Sequence, residues 1–150
     1  MDRKRRPAGS LIDSAMEAGK LPPQAPELEQ AVLGAMMLER NAVREAIDIL
    51  RPESFYVDAH RRIFAAIQKL FRTDPAIDIL TVTQELKNRA GLDMVGGAFY
   101  ISQLTNKVAS SANVQFHARI ISQKHILREL IRISSETMRD AYDDSTDVFE

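Results

Sequence analysis

An all-α fold is predicted by three observations. Apolar residues recur three and four apart in successive segments, the spacing that lines one face of a helix. No segment shows the period-2 alternation of β-branched residues that a half-buried strand requires. After Gly97 there is no further glycine and after Pro75 no further proline, so nothing breaks a helix across the last third of the chain. The expected architecture is a compact multi-helix head followed by one long helix.

Residues 1–25 contain Pro7-Ala8-Gly9, Gly19 and Pro22-Pro23 with few apolar residues, the composition of a flexible arm. Within it, Leu11 to Met16 could form a transient helical turn. The head is expected over 26–110. Pro26 suits a helix start, and Leu28, Ala31, Val32, Ala35 and Met36 follow at i, i+3, i+4, i+7 and i+8. Asn41 is placed to cap a second short helix carrying Val43, Ala46, Ile47 and Leu50, which Pro52 stops. Asp58 is expected to cap a third, with Ile63, Ile67 and Leu70 on one stripe and Phe64 and Phe71 widening it; this helix is expected at the centre of the core. Asp78 caps a fourth with Ile79, Val82, Leu86 and Ala90 on one face. Lys87 and Arg89 complement its C-terminal dipole and Gly91 ends it. Gly96-Gly97 introduces a shorter helix with Tyr100, Ile101 and Leu104, ended by Ser110-Ser111. The long helix then runs from about Asn113 to Tyr142, roughly 45 Å at 1.5 Å per residue, within a segment bounded as 111–143. Asp143-Asp144-Ser145-Thr146-Asp147 reads as a loop with a new N-cap three residues before Glu150, so 144–150 is expected to begin a further helix that this sequence does not include.

The 150 residues suit one domain plus tails, and a hydrophobic content of 45% is ordinary for a globular core. There is no cysteine, which removes disulfides and thiolate metal sites and fits a reducing, cytoplasmic setting. Arg3-Lys4-Arg5-Arg6 is not followed by an apolar signal region, and no apolar run approaches the ~20 residues of a bilayer span. Twenty Lys and Arg against 21 Asp and Glu give a net charge of -1, so no global field attracts a polyanion.

The long helix is apolar on more than one side. Val114, Ala118 and Ile121 form one stripe and Phe116, Ile120 and Leu127 a second, while Ile126, Leu130, Ile131 and Ile133 widen the surface further along. A helix resting on a single head needs only one stripe, so the surplus must meet a following helix, another subunit, or both. Phe116, Ile120, Leu127, Leu130 and Ile133 are the candidate self-association residues. The alternative is a helix folded along its own head.

Catalytic chemistry is not legible. His60, His117 and His125 are the three histidines, no H-E-x-x-H is present, and capping, core or surface roles account for them better than metal. Gly96-Gly97 belongs to no G-x-G-x-x-G or G-x-x-x-x-G-K-[ST] phosphate loop, and a tight helix entry accounts for both glycines. Ser110-Ser111 has no base nearby in sequence. Lys124, Arg128 and Arg132 lie four apart and could contact phosphate, but Glu129 and Glu136 are interleaved to pair with the arginines, as on any solvated helix face. The alternative function is therefore a small nucleic-acid-binding domain that uses Arg3 to Arg6 and this stripe.

Several strings in order resemble the N-terminal domain of the bacterial replicative DNA helicase, the DnaB family. They are Glu29-Gln30-Ala31-Val32-Leu33-Gly34; Phe55-Tyr56 with His60-Arg61 and Ile63-Phe64; Ile77-Asp78-Ile79-Leu80-Thr81; Val95-Gly96-Gly97 with Tyr100; Ser111-Ala112-Asn113-Val114; and Ala118-Arg119-Ile120-Ile121. Their collinearity extends from about Pro23 to Ile133. The resemblance implies a helical head and a helical hairpin whose first arm is the long helix, with hairpins pairing between subunits into a collar of dimers on a hexameric ring. It implies a separate ATP- and DNA-binding motor, so no cofactor in these residues, with ATP and magnesium confined to that motor. It also implies primase docking, at positions matching Glu27, Tyr100 and Ile131. The sequence departs from the family in its arm and at Thr137, where the long helix often carries an aliphatic residue.

Overall fold

The computed structural model describes residues 21–73, 75–108 and 111–149, and the turn expected at Leu11 to Met16 lies outside them. Every regular element described is helical: α1 Pro26–Leu38, α2 Arg40–Ile49, α3 Asp58–Thr73, α4 Ile79–Asn88, α5 Gly97–Asn106 and α6 Val114–Tyr142. Short 3-10 turns at Pro52–Ser54, Asp93–Val95 and Ser111–Asn113 join them. The described residues fall into two compact units, one of residues 24–125 and one of residues 21–23 with 126–149.

In the first unit α3 stands at the centre of the core as expected, and α1 shares that place. Val32 to Met37 are six consecutive buried residues, because α1 packs against α2, α3 and α5 at once. A helix touched on several sides loses its one-sided pattern. Gly34 permits the closest of these approaches: a Cβ there would stand 2.1 Å from the Leu104 carbonyl oxygen and 2.6 Å from Val108 Cγ2. From α3 the core receives Ile63, Phe64 and Ile67, and Phe55 packs its ring 5.0 Å from that of Phe64. Val82 and Leu86 of α4, Ile101 and Leu104 of α5, and Val114, Ala118 and Ile121 of α6 complete the same cluster.

The helix ends follow local chemistry, with three shifts from the sequence expectation. Glu39, not Asn41, occupies the cap of α2; Asn41 is inside the helix and its amide donates to Glu45 Oε1 at 3.2 Å. Asp58 is the first residue of α3 and accepts from Arg62 Nε at 2.8 Å. Asp78 does cap α4, accepting from the Thr81 N–H at 2.9 Å while Thr81 Oγ1 accepts from the Asp78 N–H. That helix closes one residue earlier than Gly91 suggests. The Gly91 N–H donates to Leu86 O and the Ala90 N–H to Lys87 O, which places Ala90 in the left-handed position at φ 54°. At α5 the expectation of a tight glycine entry holds, since Gly96 and Gly97 have φ of 94° and 77°.

Candidate functional site

Helix α6 carries two apolar faces. At about 100° per residue, Val114, Ala118 and Ile121 fall within an arc of about 60°, and all three are buried. Phe116, Ile120, Ile126, Leu127, Leu130, Ile131 and Ile133 occupy an arc of about 160° centred on the opposite side of the helix. None of these is buried: Phe116 is 65%, Leu130 56% and Ile133 51% exposed, and Ile120 is intermediate. No residue from Ile126 to Tyr142 is classed as buried. Apart from Ile120, which is partly covered, the residues of this second face are exposed among the described residues.

Charged residues take the side of α6 that the head-facing stripe would occupy if it continued. Arg132 donates to Glu129 Oε2 at 2.9 Å and to Glu136 Oε1 and Oε2 at 3.0 and 2.9 Å, and these hydrogen bonds raise its pKa further. Arg128 Nη1 donates to the Pro23 carbonyl at 2.8 Å. Arg132 is thus paired with the interleaved glutamates as expected, whereas Arg128 bonds to a backbone carbonyl. Thr137 turns its hydroxyl to the Ile133 carbonyl at 2.7 Å, which suits an exposed helix position.

The residues matched to docking positions divide between the two units. Glu27 is exposed in the first turn of α1, Tyr100 is half-buried on α5, and Ile131 is 45% exposed on the distal part of α6. Tyr100 also belongs to a buried polar chain that sequence reading did not assemble. Glu29 Oε2 accepts from the Tyr56 N–H at 2.9 Å and Oε1 from the Val57 N–H at 3.3 Å. Because that carboxyl is an acceptor, His60 Nδ1, 2.8 Å away, is the donor, and Nε2 shares a hydrogen bond of 2.6 Å with the Tyr100 hydroxyl. Glu29 and His60 are each 1% exposed. A carboxylate, an imidazole and a hydroxyl in line resemble a nucleophilic relay. Here the hydroxyl is phenolic, and Glu29 and His60 are sealed in the core. Their work is to join α1, the start of α3 and α5 while leaving no buried polar atom unpaired. A signal was available in the sequence: Glu29 is in phase with Val32, Leu33 and Met36, and His60 with Ile63, Phe64 and Ile67, so each is a polar residue at a core position needing a partner.

Among the described residues no three His, Cys, Asp or Glu side chains are grouped to hold a metal, and no helix is long and apolar enough to cross a membrane. Residues 21–123 match the family described as DnaB-like helicase N terminal domain. The chain is 47% identical over 146 residues to the replicative DNA helicase DnaB of Rhodothermus marinus, covering 97% of this chain and 15% of that protein. It is 41% identical over 137 residues to the Geobacillus stearothermophilus DnaB, covering 90% and 30%. The crystal structure of the N-terminal domain of DnaB helicase from Mycobacterium tuberculosis superposes with a TM-score of 0.80 at 35% identity, over 81% of this chain and 87% of that one. The chain therefore spans less than a third of these full-length relatives and most of the isolated domain. From this agreement of sequence and fold, the chain belongs to the family of DnaB-like helicase N-terminal domains.

Proposed function

We propose that these residues form the non-catalytic assembly and docking module of a replicative DNA helicase, with a head over 26–110 and a self-association helix over 111–143. One observation carries the reading: the apolar face of α6 that lies opposite its buried stripe and, from Phe116 to Ile133, contains no buried residue. Burying a Leu or Ile side chain contributes about 1.5–3 kcal/mol. Several such residues on each of two copies can offset the roughly 4–15 kcal/mol that association costs. Phe116, Ile120, Leu127, Leu130 and Ile133 make that contact, and rings of such pairs would build the collar of a hexamer. Primase docks on Glu27, Tyr100 and Ile131. ATP turnover and strand separation lie outside these 150 residues, whose sequence holds no G-x-x-x-x-G-K-[ST].

The test is sedimentation equilibrium of the wild type and Leu127→Asp, with calorimetric titration of primase into each. The wild type is expected to form dimers or larger rings and to bind primase. Leu127→Asp is expected to sediment as a monomer with unchanged helicity, and with the thermal midpoint that the wild type shows at a concentration where it too is monomeric. A strictly monomeric wild type would sink the assembly role, and primase binding undiminished by Tyr100→Ala and Ile131→Asp would sink the docking assignment.

A further inference from the structure

Between α3 and the C-terminal end of α4 lies a cleft of about 200 Å³ lined by Arg61, Arg62, Ala65, Leu86, Arg89 and Gly91. Its three arginines are each fastened through Nε. Arg61 donates to the Phe55 carbonyl at 2.7 Å, with Nη2 on the Tyr56 carbonyl at 3.3 Å. Arg62 donates to Asp58 Oδ2 at 2.8 Å, and Arg89 to Glu85 Oε1 at 2.8 Å. The same Glu85 oxygen takes Lys69 Nζ at 2.8 Å. Four cations therefore surround two carboxylates, and the local surplus is positive. Neither terminal nitrogen of Arg62 or of Arg89 has a partner among the described residues. A guanidinium fixed at Nε keeps a pre-oriented fork of donors for a planar anion at little further entropic cost.

We propose that this cleft binds a short acidic segment of a partner protein, an Asp or Glu carboxylate bridging Arg62 and Arg89 while a neighbouring apolar side chain of the segment lies on Ala65 and the aliphatic stems of the arginines. Both halves of that ligand are required by the lining. The guanidinium forks match a carboxylate, and half-buried Ala65 with the methylene stems of the exposed arginines gives an apolar group a surface to cover. A nucleic-acid strand fits less well. No aromatic lines the cleft for base stacking, and the chain's net charge of -1 gives a polyanion no wider attraction.

The test uses the ¹⁵N-labelled chain, following backbone amides and arginine Nε–H signals. The titrants are an acetylated, amidated Glu-Glu-Leu-Phe peptide, its Gln-Gln-Leu-Phe counterpart, orthophosphate and an oligothymidylate. The acidic peptide is expected to shift residues 61–65 and 86–91 saturably, and the glutamine peptide to bind about tenfold more weakly, the loss of one charge-assisted fork. The double variant Arg62→Gln with Arg89→Gln is expected to lower affinity for the acidic peptide by tenfold or more on the same grounds. Arg61 is left intact because it holds the Phe55 and Tyr56 carbonyls. Should the double variant fold poorly, Arg62→Gln alone, whose partner Asp58 is exposed, gives the same readout with a smaller drop. Equal binding of both peptides, undiminished binding by either folded variant, no shift at those residues, or tighter binding of orthophosphate or the oligothymidylate than of the acidic peptide would each overturn the proposal.

Discussion

Between Val114 and His125, α6 sinks Val114, Ala118 and Ile121 into the core, whereas between Ile126 and Tyr142 the same helix buries no side chain. Both stretches are comparably rich in Ile, Leu and Val, so hydrophobicity alone does not separate them. What differs is the side of the helix on which the apolar residues fall. In the first stretch one apolar arc is buried in the head, and in the second that side is taken by Arg128, Glu129, Arg132 and Glu136. The apolar arc that remains faces the other way. Two consequences follow: head stability should be indifferent to the distal arc, and any association should depend on it.

The largest break in this symmetry is expected from paired truncations. Phe64→Ala removes a fully buried ring that packs on Phe55 and should cost about 3–5 kcal/mol in urea unfolding. Leu127→Ala, at an exposed position, should cost under about 0.5 kcal/mol when measured at a concentration where the protein is monomeric. Equal costs would mean that the distal arc is already packed within a single chain. Gly34→Ala comes next. Its Cβ would overlap the Leu104 carbonyl, which is backbone and cannot rotate aside, so α1 and α5 must separate at about 1–3 kcal/mol. The same change on the exposed part of α6, Ser134→Ala, should be within about 0.5 kcal/mol of neutral.

Acid sharpens the comparison through Glu85, which joins α3 to α4. Hydrogen bonds from Lys69 and then Arg89 hold its carboxyl below the ordinary 4.5, against the opposing effect of burial. Because the folded-state pKa is depressed, this contribution is fully present above pH 4.5 and is lost as pH falls through the lower folded-state value. Lys69 and Arg89 are 49% and 37% exposed, so the pair is worth at most about 1 kcal/mol. Glu85→Gln should flatten the decline of the urea midpoint below pH 4.5, and a variant with the wild-type slope would remove Glu85 from the acid response.

The helices were legible because their periodicity and end signals act locally. Asp78 and Thr81 form their cap within four residues, and the absence of Pro and Gly after 97 left α6 uninterrupted. Centrality was not legible in the same way. α3 was expected at the centre and α1 shares it, three helices packing on each, and nothing within Pro26–Leu38 records how many neighbours will arrive. Asn41 was misplaced because a polar residue one turn from the helix start can bond along the helix, as it does to Glu45, as readily as it can cap. The exposed apolar arc of α6 was visible as surplus hydrophobicity. The Glu29, His60 and Tyr100 chain was not, since its members lie 31 and 40 residues apart and only their phase with core positions hinted at them.

The smallest expected effect concerns the residue that closes α4. Ala90 has φ 54°, a left-handed conformation that costs an L-residue roughly 1–2 kcal/mol. It is held there by the bonds from Gly91 N–H to Leu86 and from its own N–H to Lys87. Glycine at 90 removes the strain but adds freedom to the unfolded chain, a counter-effect of about 0.4–1 kcal/mol. The difference favours Ala90→Gly by about 0.5 kcal/mol, readable as a small rise in the urea midpoint without a change in its slope. The sign matters more than the size. A gain would show that the head tolerates strain at its rim and that its stability comes from the layers around α1. A loss would mean that the Ala90 methyl has packing worth more than its backbone strain, which would extend the core to the edge of the arginine-lined cleft beside Gly91.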